Sequence, residues 1–159
     1  MMHHSSRLAL AVALAGLSGS LAPAADADVA GVTQAVADFH EALNVMFTGD
    51  PAPMKAIWSH EEDIAYMGPM GDHHVGWSEI GPIWDAQAAK KLGGKVGVAE
   101  LSVIAGPEVG VATYLEKGEN IIDGEPQPVS IRTTTSFRKE AGQWKVIGHH
   151  TDTLPYLTP

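Results

Sequence analysis

The stretch VSIRTTTSFRKEAGQWKVIGHHTDT, residues 129–153, contains two long segments in which many side chains alternate in character. A period of two is typical of β-strands, whose successive side chains point to opposite faces. The segments 129–138 and 143–153 flank the loop Glu140-Ala141-Gly142. A glycine-containing loop of this length joins many antiparallel strands. The stretch therefore predicts a long β-hairpin at the end of the chain.

Two further strands are predicted upstream of this hairpin. Residues 95–105 and 110–122 show the same alternation, and turn-forming residues separate the segments. The alternation of the first segment changes phase near Glu100, which indicates a β-bulge at that point. The second half of the chain is therefore expected to form four long antiparallel strands.

The first half of the chain is mainly helical in pattern. Apolar residues recur at spacings of three and four, which indicates one apolar stripe on a helix; they are Val29, Val32, Val36, Phe39, Leu43 and Met46. A short second helix is expected to end near Trp58, and a third to follow Ser78, with two short strands between them. The order α-α-β-β-α-β-β-β-β predicts an α+β domain with one antiparallel sheet.

The first 27 residues resemble a secretory signal. One basic side chain, Arg7, precedes the apolar run LALAVALAGL (8–17), which is too short to span a bilayer. Small residues then provide a cleavage site near 24–27. We expect removal of residues 1–27 and a single domain over 28–159 that is periplasmic or secreted and not bound to a membrane. An unprocessed tail is the alternative.

Composition excludes several kinds of partner and chemistry. The formal net charge of −9 argues against nucleic acid and anionic lipid, which bind basic surfaces. The sequence has no cysteine, so disulfides, thiolate metal sites and thiol nucleophiles are excluded. It also shows no spacing typical of two histidines and one carboxylate around a metal. We therefore expect no metal and no cofactor.

The hairpin determines which polar side chains meet. If Lys139 pairs with Gln143, Arg132 lies opposite His150, because strand partners step away from the loop together. In that register one face carries a polar cluster, formed by Arg132, Thr134, His150 and Asp152. A shift of one residue would instead bring His149 and Thr151 beside Arg132.

Three parts of the chain resemble the SnoaL-like, ketosteroid-isomerase-like branch of the nuclear transport factor 2-like superfamily. They are the string DIAYMGPMGDHHVGW (63–77), the helix around Trp84 and the string RTTTSFRKEAGQWKVIGHHTD (132–152). The resemblance implies a cone-shaped, curved antiparallel sheet wrapped around three helices. It also implies a pocket for a small-molecule ligand and a homodimer formed through the sheet. The superfamily includes isomerases, dehydratases and non-catalytic domains, so the resemblance implies no single reaction.

The polar cluster is the candidate catalytic site. His150 is suited to acid–base catalysis because an imidazole titrates near neutral pH. Asp152 could orient that ring, and Arg132 could hold an anion or stabilise an oxyanion. A structural Arg132–Asp152 pair is the simpler alternative. The expected pocket-lining residues are Thr134, Tyr114, Trp58, Tyr66, Trp77 and Trp84.

Several functions fit this sequence. The first is an exported SnoaL-like protein that acts as a cofactor-free lyase, isomerase or hydrolase with His150 as acid or base. The second is a non-catalytic ligand-binding or dimeric assembly domain. The third is an activity like that of the metal-free carbonic anhydrases, which the end of the sequence resembles. Exposure of His150 to a ligand-sized cavity separates the first function from the second.

Overall fold

The structure, a computed structural model, describes residues 24–158. The elements follow the predicted order: α1 (Ala24–Met46), α2 (Ala52–Ile57), β1 (Ala65–Met67), β2 (His74–Val75), α3 (Trp77–Ala89), β3 (Lys95–Ala105), β4 (Val109–Ile122), β5 (Glu125–Glu140) and β6 (Gln143–Thr151). The α+β class is therefore confirmed. The expected signal segment lies mainly outside the described residues. Of that segment, the structure describes only residues 24–27, in the first turns of α1.

The six strands form one curved, unclosed sheet in the order β2-β1-β6-β5-β4-β3. Each sequential pair among β3 to β6 is antiparallel, as the hairpin patterns predict. Strand β1 pairs with β6 in parallel, which the sequence did not indicate. The central strands β5 and β6 therefore lie in the middle of the sheet, where both edges of each are hydrogen-bonded.

Helix α1 covers the inner face of the sheet and contacts β3, β4 and β6. Its predicted stripe is largely buried, and Val32, Val36 and Phe39 are at most 1% exposed. Among the described helices, none is long and apolar enough to cross a membrane. The core lies between this helix stripe and the concave side of the sheet.

The predicted bulge in β3 is confirmed. The pairing of β3 with β4 shifts between Ala99 and Ser102, and Glu100 has a φ of 56°. A positive φ at a residue other than glycine is uncommon in a strand, and a bulge is a place where it occurs. The change of phase in the sequence was therefore a reliable signal.

The predicted loop of the final hairpin is wrong. Glu140 pairs with Gln143, so the turn contains only Ala141 and Gly142. Their φ angles are 49° and 80°. Two positive φ angles in a two-residue loop fit the type I′ turn, whose twist matches that of the flanking strands. The three-residue loop, and the pairing of Lys139 with Gln143, are thus replaced by a tighter connection.

Strand β6 also contains a bulge that the sequence did not reveal. Phe137 pairs with Val146, but the preceding residue, Ser136, pairs with Gly148, so Ile147 is the extra residue. A bulge changes which face later side chains point to. Val146 points inward before the bulge, and His149 points inward after it. Simple alternation along β6 therefore assigned the two histidines to the wrong faces.

Candidate functional site

The predicted catalytic cluster lies on the outer face of the sheet. Thr134 pairs with His150, and the Arg132 guanidinium donates to Asp152 through Nε at 2.9 Å and Nη2 at 2.8 Å. The four residues thus share one face, as expected. That face is directed to solvent, since Arg132, Thr134 and His150 are exposed and Asp152 is half-buried. The predicted position of this cluster in the pocket is wrong, because the buried face of β5 carries Ile131, Thr133 and Thr135, and the face that carries Arg132 and Thr134 is the outer one.

Arg132 and Asp152 form an ion pair, which is the structural alternative to a catalytic cluster that the sequence analysis left open. Hydrogen bonds from the Arg132 side chain and backbone lower the pKa of Asp152 to about 2. The Arg132 side chain is 82% exposed. An exposed pair of this kind contributes little to stability because water screens both charges.

His149 occupies the inner position instead. It is 6% exposed and lines a cavity of about 40 Å³ between α1 and the concave face of the sheet. Its imidazole lies between two aromatic rings, with centroid distances of 4.7 Å to Phe39 and 6.1 Å to Tyr66. Most of the remaining wall is apolar, and includes Leu43, Phe47, Leu92, Ile131 and Leu154. The cavity is therefore small, and its lining is largely apolar.

A hydrogen-bond chain determines the tautomer of His149. Thr135 Oγ1 lies 2.8 Å from the Tyr114 hydroxyl and 3.0 Å from His149 Nδ1. Within residues 24–158 the Tyr114 hydroxyl has no other hydrogen-bond partner, so it donates to Thr135. Thr135 then donates to Nδ1, and the ring proton of neutral His149 is on Nε2. Burial lowers the pKa of His149 to about 4, so the ring is neutral at physiological pH.

Glu116 lies beside the protonated nitrogen of His149. Its Oε1 is 3.8 Å from His149 Nε2 and 3.4 Å from His40 Nε2. Glu116 lines the cavity and is 5% exposed, and Oε1 has no hydrogen bond from any described residue. An unpaired carboxylate oxygen in an apolar cavity can accept a proton or a hydrogen bond from a ligand. The inner face thus places a proton acceptor next to an N–H donor.

The predicted aromatic lining is partly present at the cavity. Tyr66 and Trp84 line it. The Tyr66 hydroxyl accepts a hydrogen bond from Gln87 Nε2 at 2.8 Å, and burial raises the pKa of Tyr66. This hydroxyl packs so closely on Gly68 that a side chain there would overlap it. Tyr66 is therefore held in a fixed position beside His149.

Other predicted lining residues lie elsewhere. Tyr114 is buried behind the cavity wall, where it acts through Thr135. Trp58 is buried against Trp84, with ring centroids 5.3 Å apart, and does not line the cavity. Trp77 is half-buried and stacks on His60 at 3.9 Å. Thr134 faces solvent, as described above. The inward placement of Thr134 was wrong, whereas Trp77 packs against the core as expected but does not line the cavity.

Two residues at the site, Glu116 and His40, were missed by the sequence analysis. A usable signal existed for each. Glu116 is two residues after Tyr114 on a regular strand, so it shares the inner face that Tyr114 was expected to occupy. His40 is four residues after Val36 and therefore lies on the buried side of α1. Isolated polar residues within an apolar pattern were the relevant sign.

The described part of the chain contains no group of three or more histidine and acidic side chains arranged to hold a metal ion. The polar side chains at the cavity include the imidazole of His149 and the carboxylate of Glu116. A neutral imidazole can donate a hydrogen bond to a ligand oxygen, while a neighbouring carboxylate accepts a proton. This combination is typical of acid–base chemistry.

Solved structures similar to this one share the fold. A candidate dehydratase of the NTF2-like family from Streptomyces avermitilis is 19% identical, with a TM-score of 0.71, over 82% of this chain and 99% of that chain. An NTF2-like superfamily protein from Salmonella enterica is 16% identical, with a TM-score of 0.70, over 80% and 92%. A candidate calcium/calmodulin-dependent protein kinase type II association domain from Thiobacillus denitrificans is 21% identical, with a TM-score of 0.65, over 77% and 94%.

Sequence comparison gives the family. A search of curated proteins finds no match. The family model described as a SnoaL-like domain matches residues 32–154, which include the whole inner face and both histidines of β6. The SnoaL-like resemblance inferred from the sequence is therefore confirmed: the fold is that of the NTF2-like proteins, and the chain belongs to the SnoaL-like domain family.

Proposed function

We propose that the protein binds a small, largely apolar molecule in its inner cavity and transfers a proton to or from it. Glu116 is the proton acceptor, and the His149 Nε2–H stabilises negative charge that develops on a ligand oxygen. The observation that supports this most strongly is the unpaired, buried Glu116 Oε1 at 3.8 Å from His149 Nε2. Both side chains line the same cavity.

The proposed chemistry begins with a carbon acid. Glu116 removes a proton from a carbon next to a carbonyl group, and the electron pair moves onto the carbonyl oxygen, where His149 donates a hydrogen bond. Return of the proton to another carbon completes an isomerisation. Loss of a leaving group from the adjacent carbon, with a proton from the site, completes an elimination. Isomerase and lyase activity thus share one first step, and hydrolase activity requires the same base to activate water.

The first step can be tested without knowledge of the natural substrate. We expect the protein to catalyse exchange of deuterium from solvent into small cyclic and open-chain ketones, detected by NMR. Glu116→Gln and His149→Gln should each lower the exchange rate by about 100-fold or more. His150→Gln is the matched control, since it changes the neighbouring residue on the opposite face. Equal loss in His149→Gln and His150→Gln, or no loss in either, would contradict the proposal. Epoxides and bicarbonate, tested in parallel, cover hydrolase and carbonic anhydrase-like activity.

A homodimer through the outer face of the sheet is a further part of the proposal. Ile104 is 78% exposed and Val109 is 50% exposed. Their pairing with Val111 and Arg138 places both on the same outer face as Thr134. Exposed apolar side chains on an open sheet favour association with a second copy. Sedimentation analysis should give a dimer for the unmodified chain and a monomer for Ile104→Asp. A monomeric unmodified chain would exclude this assembly.

Export is proposed from the sequence of the first 27 residues. The apolar run at 8–17 and the small residues at 22–27 support it. We expect the mature protein, isolated from the periplasm or the culture medium, to begin between residues 25 and 28. N-terminal sequencing checks this directly, and recovery of the intact N-terminus from the cytosol would contradict export.

A further inference from the structure

We infer that residues 153–158, the C-terminal strap, close the inner cavity and open locally, without unfolding of the domain, to admit a molecule. The inference concerns access to the cavity of the proposed function. It rests on that proposal only for the need to admit a ligand. The strap is held loosely at its free end and firmly at its base, as the hydrogen bonds around it show.

The closed cavity is too small for most small-molecule ligands. Its volume of about 40 Å³ has room for about three water molecules. Pockets that bind small molecules usually enclose roughly 300–1,000 Å³. Part of the wall must therefore move before a ligand can enter and fit.

The C-terminal strap is a single layer of chain between the cavity and solvent. Leu154 and Leu157 line the cavity. The residues beside them in the sequence, Thr153, Pro155 and Thr158, are exposed. Displacement of this short segment would thus open the cavity directly to water.

Few hydrogen bonds hold the strap in place. In the described part of the chain, those that join it to other elements start from only two of its residues. The Leu154 N–H donates to the carbonyl oxygen of Pro69 at 2.9 Å. The Tyr156 hydroxyl lies 3.3 Å from Asn120 Oδ1 and 3.4 Å from the carbonyl oxygen of Pro128. A hydroxyl donates only one hydrogen, so these two long contacts together amount to one weak bond.

The other walls of the cavity are held on several sides. Helix α1 packs against β3, β4 and β6, and it also contacts α2 and α3. Strands β4, β5 and β6 each have a hydrogen-bonded neighbour along both edges. Segments with few contacts and few hydrogen bonds open at much lower cost than elements of this kind. The strap is therefore the part of the wall that moves.

The base of the strap is fixed by the ion pair on the outer face. The Asp152 N–H donates to the Arg132 carbonyl oxygen at 3.1 Å, and the Arg132 backbone N–H donates to Asp152 Oδ2 at 2.9 Å. The guanidinium adds two more hydrogen bonds to the same carboxylate. The movable segment thus begins after Asp152, which gives this outer pair a role in holding the hinge.

The sequence contains no cysteine, so a single introduced thiol can report access to one position. Val129→Cys places the thiol in the cavity wall, and Val36→Cys places it in the core, outside that wall. Each variant of the mature protein is treated with iodoacetamide, and its rate is divided by that of the same variant unfolded in urea. We expect the cavity thiol to react at least about tenfold faster than the core thiol. Equal relative rates would mean that the cavity opens only when the domain unfolds, and would overturn the inference.

Two tyrosine substitutions separate local opening from global unfolding. Tyr156→Phe removes the hydroxyl that links the strap to β4 and β5, and we expect it to speed the reaction of the cavity thiol by about threefold or more. Tyr114→Phe, the matched control, removes a buried hydroxyl that contacts Thr135. It should speed the core thiol alone, because the hydrogen bond that it removes is not broken when the strap opens. Equal acceleration of the cavity thiol by both substitutions, or by neither, would contradict the inference.

A second cavity thiol guards against loss of folding in Val129→Cys. Thr151→Cys lies on the neighbouring strand β6, and the hydroxyl that it replaces has no hydrogen-bond partner among the described residues. Circular dichroism identifies the folded variants. A folded cavity variant that reacts as fast as its unfolded form would show that the strap does not close the cavity.

The thiol measurements use no ligand, so failure of the inference and failure of the proposed function are distinguishable. Local opening of the strap without deuterium exchange into ketones contradicts only the proposed function. Deuterium exchange with equal relative rates for the cavity and core thiols contradicts only the inference.

Discussion

The sheet carries one polar cluster on each face. The two clusters look similar in sequence, but they differ in burial and in how far water screens their charges. On the outer face, Arg132 and Asp152 form an ion pair that water surrounds. On the inner face, His149 and Glu116 are each at most 6% exposed and lie among aromatic and aliphatic side chains. A charge on the outer face is screened, whereas a charge on the inner face must be matched by a proton or a partner. Burial, more than residue type, therefore distinguishes the inner cluster from the outer one.

The largest difference between the faces should appear in stability. Phe39 is 1% exposed and stacks on His149, so Phe39→Ala leaves a cavity in the core. We expect it to lower the free energy of unfolding by about 3–5 kcal/mol. Thr134→Ala on the outer face should change it by less than about 0.5 kcal/mol. Urea denaturation measures both values, and similar losses would contradict the distinction between the faces.

Acid should destabilise the protein through the inner face. The pKa of His149 is lowered to about 4 by burial, while an unfolded chain has a histidine pKa of about 6.5. The unfolded state therefore binds a proton more readily, and stability falls as the pH decreases from about 6.5 to about 4. The loss from this residue is on the order of 3 kcal/mol. We expect a smaller loss over this range in His149→Gln but not in His150→Gln. Identical pH dependence of unfolding in all three proteins would exclude a buried neutral His149.

The hydrogen-bond chain behind His149 should have an intermediate effect. Tyr114→Phe removes the hydroxyl that donates to Thr135, at a cost of about 1 kcal/mol in the free energy of unfolding. Without that donor, the Thr135 hydroxyl can accept a hydrogen bond from His149 Nδ1 instead of donating one to it. We therefore expect the imidazole nitrogen chemical shifts of His149 to report more of the other tautomer. Unchanged shifts would show that Tyr114 does not determine the tautomer.

The smallest effect is expected from the outer pair. Hydrogen bonds from Arg132 lower the pKa of Asp152 to about 2, below the usual value of 3.8. This contribution to stability is present above about pH 4 and is lost as the pH falls toward 2. Asp152→Asn should therefore change unfolding only slightly at pH 7, because the pair is exposed. Arg132→Gln should have the same small effect. The double variant Arg132→Gln/Asp152→Asn should change the free energy of unfolding no more than either single variant. A large loss at pH 7 would assign the outer pair a structural role that its exposure does not suggest.

The sequence was sufficient for the fold because its patterns were long. The stripe from Val29 to Met46 and the alternation along β3 to β5 extend over many residues, so one irregularity does not hide the period. The bulge at Glu100 was visible as a change of phase in an otherwise regular strand. Element order and class followed directly from these patterns.

The site was less predictable because it depends on one residue. The extra residue at Ile147 exchanges the faces of His149 and His150, and no local pattern marks it. The two-residue turn at Ala141 and Gly142 and the bulge at Ile147 each move the register by one residue in the same direction. Together they move it by two residues, so the predicted partners change but the cluster stays on one face. Grouping Arg132 with Asp152 was correct, but only the three-dimensional packing shows which side of the sheet α1 covers.

The most direct test of the account is the position of the two adjacent imidazoles, measured by nuclear Overhauser effects in the mature protein. We expect effects between the His149 ring protons and those of Phe39, whose ring centroids are 4.7 Å apart. His150 should instead show effects to its outer-face strand partner Thr134. Effects between His150 and Phe39, with none from His149, would contradict the assignment of the inner face and the acid–base site built on it.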